Sequence, residues 1–295
     1  MKEGIKMNVY EIITNKIIEE LEKGIIPWQK PWGGVANGAY NGISKKPYSL
    51  LNQMLLSQDG AYYTFKQVQQ KGGKIKRGSK SHMVVFWKIY EKENKNSENE
   101  KNSENEDIVT KVPCLRYYNV FHESDIENLK KDDFIPKDIQ TFDDMESLLN
   151  NYIKRENIHF LHIKGDEAYY SPTSDKIVLP LKNQFKCSEE YYSTAFHECT
   201  HSTGSANRLS RISKSFHFGD ENYSKEELVA EMGSSFILNQ FNRSSDYSFH
   251  NSVAYIQNWL QQLKKDSKMI VSAASQAEKA VNFIINGKTN KSKEK

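Results

Sequence analysis

Three cysteines in 295 residues, Cys114, Cys187 and Cys199, are too few and too scattered to staple a disulfide scaffold. They read as reduced, buried thiols, and a cytoplasmic setting is expected with them. No run of 18 apolar residues exists, which excludes a bilayer-spanning helix and a membrane partner. The first twenty residues carry acids inside their apolar pattern and hold no uninterrupted hydrophobic segment, so no secretory leader is expected. Acids are nearly missing from one region: residues 24–90 contain ten Lys/Arg and a single acid, Asp59. With a formal net charge of +3 overall and +9 in that stretch, the rest of the chain sums to −6. Such an asymmetry points to a polyanionic partner.

What the chain does contain is a compact chemical pattern, His197-Glu198-Cys199-Thr200-His201. On a helix, residues four apart share a face, so His197 and His201 can offer two imidazole nitrogens to one Zn²⁺. Glu198 points about 100° away, where it could take a proton from metal-activated water. Catalytic zinc uses three protein ligands and keeps one position open. A metzincin would place a third His at position 207, but that residue is Asn207. The third ligand is therefore expected from the later helix that carries Glu227 and Glu231, one turn apart on one face. Glu227 is the first choice as ligand, and Glu231 is either an alternative ligand or an acceptor that orients a ligand His. The competing reading makes Ser224 and Glu227 a capping box. Glu226 and Glu190 read as solvated or dipole-favourable carboxylates, and His217 is a remote candidate for stabilising an oxyanion.

Hydrophobic periodicity places helices over 8–23, 49–58, 64–71, 143–155, 188–203, 224–240, 252–265 and 270–285. Strands are expected over 83–90, 113–121, 159–163, 167–170 and 176–179. Residues 94–106 repeat the hexapeptide KNSENE in tandem and read as a solvated insert. The expected organisation is α+β. An N-terminal module spans 1–125 with the insert at about 94–107, a polar linker follows over 126–140, and a zincin-like (gluzincin) metallopeptidase domain occupies 141–295.

In the basic half, cations alternate with aromatic residues, a combination suited to single-stranded DNA: cations follow phosphates and rings stack on unpaired bases. The candidate contacts are Trp28, Lys30, Trp32, Lys45, Lys46, Lys66, Lys74, Lys76, Arg77 and Lys80. At least half of the region's rings are expected in the module's own core, Trp87 first among them.

Several stretches together resemble the ArdC-type antirestriction proteins of plasmids and other mobile elements, whose N-terminal domain is shared with TraC-type plasmid primases. They are Pro27-Trp28-Gln29-Lys30-Pro31-Trp32, Lys46-Pro47-Tyr48-Ser49-Leu50-Leu51-Asn52, Thr64-Phe65-Lys66-Gln67, Gly72-Gly73-Lys74-Ile75-Lys76-Arg77-Gly78 and Val85-Phe86-Trp87-Lys88. Asn119-Val120-Phe121, Tyr191 to Glu198, Thr203-Gly204, Arg208-Leu209 and Glu226 to Gly233 complete the set. The chain departs from that pattern at His122, where Asn is usual, and in the KNSENE insert. The resemblance implies a single-stranded-DNA-binding domain joined to a zincin-like metalloprotease, and a role in protecting incoming DNA from host restriction. A host DNA-bound protein would be the substrate. The alternative is a non-catalytic protein that coats single strands and carries a structural zinc site.

Overall fold

The computed structural model describes residues 7–29, 38–56, 58–93, 109–129, 142–212, 221–243 and 253–287. The KNSENE insert, Lys30, Trp32, His217 and the basic tail lie outside the described residues.

Helix α1 (Val9–Glu22) begins at a reciprocal capping box: Asn8 Oδ1 accepts from the Glu11 amide at 3.0 Å, and Glu11 Oε2 accepts from the Asn8 amide at 2.8 Å. Gly24, at φ +76°, ends it in the left-handed region that glycine tolerates. There follow β1 (Ala39–Asn41), α2 (Leu50–Leu55), β2 (Gly60–Tyr63), α3 (Phe65–Gln70) and β3 (Lys74–Ile75). Next come the long strands β4 (His82–Glu93) and β5 (Val109–His122), then β6 (Ile126–Glu127). The sheet order is β1-β2-β5-β4, with β4 and β5 paired antiparallel along their whole length.

The second half starts with α4 (Phe142–Glu156) and a small sheet of β7 (His159–Ile163), β8 (Tyr169–Ser171) and β9 (Lys176–Pro180), ordered β7-β9-β8. Helix α5 (Ser188–Thr203) carries the histidine pentad and is followed by α6 (Glu221–Gln240), α7 (Val253–Lys265) and α8 (Met269–Asn286). The expected helices and strands are therefore present, and the architecture is α+β.

Three expectations change. Residues 126–127 are not linker: β6 pairs antiparallel with β3, Ile75 opposite Ile126. The main hydrophobic core also ignores that boundary, because Ile13, Ile17, Trp28 and Leu50 pack in one cluster with Leu228, Met232, Trp259 and Ile270. Trp87, expected inside, is 49 % exposed, whereas Trp28, expected to meet DNA, is 0 % exposed. The reason is layering. β4 runs on past Val85, and from Phe86 to Glu91 its side chains are exposed, with no helix among the described residues burying them. Trp28 folds under α7, its ring edge-on to Trp259 at 5.2 Å and 74°. Its indole therefore has no face left for a base.

Candidate metal centre

Helix α5 has its middle and C-terminal turns almost wholly buried, and its Cys199 side faces the second core with Phe196 and Ile237. The opposite side carries His197 and His201. Helix α6 lies close against it: a Cβ at Gly233 would come within 2.7 Å of the Thr200 side chain, so a larger residue would push the two helices apart. Ser234 Oγ donates to the Ser193 carbonyl at 2.6 Å and adds a second tie. Beyond the C-terminal end of α5, Arg208 donates to Asp175, to Glu156 and to the Ser202 carbonyl. This buried guanidinium joins the pentad helix to α4 and to the turn that leads into β9.

Within that frame His197 Nε2 and His201 Nε2 stand 3.1 Å apart. Glu227 closes the group, Oε2 at 3.6 Å from His197 Nε2 and Oε1 at 3.4 Å from His201 Nε2. All three residues are buried, and their ligand atoms lie within 4.8 Å of one another. Two imidazoles and one carboxylate converging on one point form a donor set that fits a divalent cation of borderline softness. Burial pushes the Glu227 carboxyl up, but hydrogen bonds from His197 and His201 outweigh it and hold it well below the usual carboxylate range. Burial likewise pushes both imidazoles down, and the facing carboxylates reverse this, most strongly at His201. Protons and a cation therefore compete for the same nitrogens.

The other ring nitrogens are held as well. His197 Nδ1 faces Glu231 Oε1 at 3.6 Å, and His201 Nδ1 faces Glu226 Oε1 at 3.4 Å. Glu231 thus sits behind the candidate ligand His197, while Glu227 takes the front. Glu226 is not the solvated carboxylate expected from its position. It is buried, and Arg211 grips it as a fork, Nε to Oε2 at 3.1 Å and Nη2 to Oε1 at 2.8 Å. Ser224 lies a turn inside α6, which begins at Glu221, so it does not cap the helix. Neither Arg211 nor the role of Glu226 could be read from the sequence. The only available signal was two adjacent glutamates, Glu226 and Glu227, immediately before the apolar run Leu228-Val229-Ala230.

Glu198 is buried beside this group, and its carboxyl is pushed up by burial, opposed by the two imidazoles and by a hydrogen bond from the Tyr170 backbone on β8. Away from the centre, Lys46, Lys66, Lys74, Lys76, Arg77 and Lys80 are exposed, and Lys45 is half-buried with Nζ 5.9 Å from the Tyr40 ring. No helix among the described residues is long and apolar enough to cross a membrane.

Comparison with known proteins agrees with both halves. Residues 7–121 match the N-terminal domain of anti-restriction factor ArdC, and residues 148–276 match a zincin-like metallopeptidase domain. The chain is 32 % identical over 294 residues to a DNA primase TraC of Escherichia coli, covering 95 % of this chain and 20 % of that protein. It thus spans about a fifth of that relative's length. An uncharacterized protein y4eC of Sinorhizobium fredii is 27 % identical over 290 residues, covering 94 % of this chain and 91 % of its own. Two crystal structures of the antirestriction ArdC protein from the R388 plasmid share the fold. The metal-free form has a TM-score of 0.74 at 27 % identity, covering 94 % of this chain and 97 % of that one. The Mn(II)-bound form has 0.76 at 26 %, covering 97 % and 100 %. The chain therefore carries an ArdC N-terminal domain followed by a zincin-like metallopeptidase domain, and it shares the fold of the antirestriction ArdC protein from the R388 plasmid.

Proposed function

We infer that the protein binds single-stranded DNA through its N-terminal half and hydrolyses protein at the α5–α6 centre, shielding incoming DNA from host restriction. The observation that carries this reading is the convergence of His197, His201 and Glu227 beside the buried carboxylate of Glu198. Zn²⁺ is the cation best suited to two imidazoles and one carboxylate, held by those three residues. When bound, it would supply Lewis acidity and bring the pKa of water to about 7.

The chain's own groups account for the remaining chemistry. Glu198 is the general base: its carboxylate takes a proton and returns it to the leaving amine. Burial disfavours its charged form and raises the carboxyl, a direction that favours holding the proton between the two steps. Glu226 fixes the His201 ring from behind by accepting from Nδ1, and Glu231 faces His197 Nδ1 from the same side. With three ligands among the described residues, one position remains for substrate, which supports catalysis over a closed structural site. The exposed cations Lys46, Lys66, Lys74, Lys76, Arg77 and Lys80 would hold the DNA strand, so that the substrate is a host protein bound to entering DNA.

Glu198→Gln tests the mechanism. It should abolish proteolysis and leave metal content and single-stranded-DNA affinity unchanged; cleavage by the variant would sink the mechanism. Plasmid transfer into a restricting host then separates the rival. If Glu198→Gln still protects, coating of the strand suffices and the centre is not the protective element.

A further inference from the structure

Trp28, the first expected stacking residue, is inside the core, so the rings that meet bases must lie elsewhere. We propose that one face of the β4–β5 ribbon, built from Phe86, Lys88, Tyr90, Arg116 and Tyr118, is the platform on which single-stranded DNA stacks. This rests on the reading that the N-terminal half binds single strands.

The pairing register defines the face. Phe86 stands opposite Arg116, Val84 opposite Tyr118, and Tyr90 opposite Val112, and residues directly opposite in an antiparallel pair project to the same side. Side chains at 86, 88 and 90 therefore share a side with those at 116 and 118. Ring geometry agrees: Phe86 and Tyr118 lie 5.6 Å apart at 59°. Lys88 Nζ lies 4.9 Å and the Arg116 guanidinium 5.6 Å from the Tyr90 ring. Phe86 is 42 % and Tyr90 38 % exposed, which places two large rings in water on one short stretch. Rings exposed together on one face offer a surface on which a partner can stack; Trp87 and Tyr117 are exposed too, but on the opposite side.

Charge selects the occupant. Among the described residues this face holds two cations and no acid, because Glu91 projects to the other side. Cations set over rings, along a stretch of about 14 Å from Phe86 to Tyr90, match a backbone of phosphates with bases turned toward the protein. The edge of β4 is also closed to strand addition at its root, where the Asn52 side chain donates to the Val85 carbonyl at 2.9 Å and accepts from its amide at 2.7 Å. Lys76, Arg77 and Lys80 precede the root of the ribbon, so a strand leaving the platform would meet further cations.

Fluorescence anisotropy of labelled oligo(dT) with the full chain tests this. Phe86→Ala and Tyr90→Ala should each weaken binding about ten-fold, while Trp87→Ala, on the opposite face, should stay within about two-fold of the wild type. Lys88→Ala and Arg116→Ala should each lower the salt slope by about 0.7. Unchanged melting temperatures would show that the variants fold. Photo-cross-linking of the wild-type chain to a bromodeoxyuridine oligonucleotide should map to Phe86 or Tyr90. Binding by the wild type that both ring variants preserve would overturn the platform and leave the broader reading intact. A wild type that binds no single strand would overturn both. Self-association that Phe86→Ala and Tyr90→Ala abolish, with DNA affinity unchanged, would give this face to a second copy of the chain and refute the proposal.

Discussion

Replacing Arg211 by Met removes four hydrogen bonds at once: two to Glu226, one to Thr203 Oγ1 at 2.8 Å and one to the Thr200 carbonyl at 2.8 Å. It leaves the Glu226 carboxylate buried with His201 as its remaining charged neighbour. Breaking a buried ion pair from one side costs about 3–5 kcal/mol, because the surviving charge stays desolvated. A substantial loss of stability is therefore expected in denaturant unfolding of the metal-free protein. The second expected effect concerns the centre itself. Glu226 would no longer be held to accept from His201 Nδ1, and loss of such a partner weakens metal binding about 10- to 100-fold. Competition titration against a chromophoric chelator reads this separately from stability. Arg211→Lys keeps the charge but not the fork, and should fall between the two. Arg211→Met/Glu226→Leu removes both charges, so it should regain stability over the single variant while metal binding stays weak. If the folded Arg211→Met variant binds metal as the wild type does, the pair has no part in orienting His201.

Two further outcomes follow from the packing. Trp28→Ala should cost about 3–5 kcal/mol in unfolding free energy without changing DNA affinity, since the indole fills the shared core and meets Trp259. Trp28→Phe should cost much less, because its Nε1 has no hydrogen-bond partner among the described residues. Burial raises the Asp59 carboxyl to about 6, so its neutral form favours folding and this contribution is lost as pH rises from about 4 to 6. Asp59→Asn should therefore gain stability relative to the wild type between pH 4 and 7, by about 1 kcal/mol once its partial exposure is discounted. Denaturant midpoints across that range check it, and a constant difference would refute the assignment.

Local chemistry was readable without a structure. The i, i+4 histidines, the one-turn spacing of Glu227 and Glu231, the apolar alternation of the strands and the charge block at 24–90 each depend only on neighbours in the chain. The Asn8 and Thr64 caps act within three residues, so those helix starts were legible too. Tertiary structure decided what depends on layers and distant partners. Trp28 and Trp87 carry the same side chain in the same basic stretch, yet α7 covers the first while the second is 49 % exposed. Glu226 and Glu227 are adjacent, but the helical turn between them sends one to the front of the imidazoles and the other to Arg211 behind. The HExxH helix by itself determined which two nitrogens could meet a cation. Which carboxylates face them, and which guanidinium holds one in place, was set by the close packing of α6 on α5, a contact between segments about 30 residues apart that local spacing does not encode.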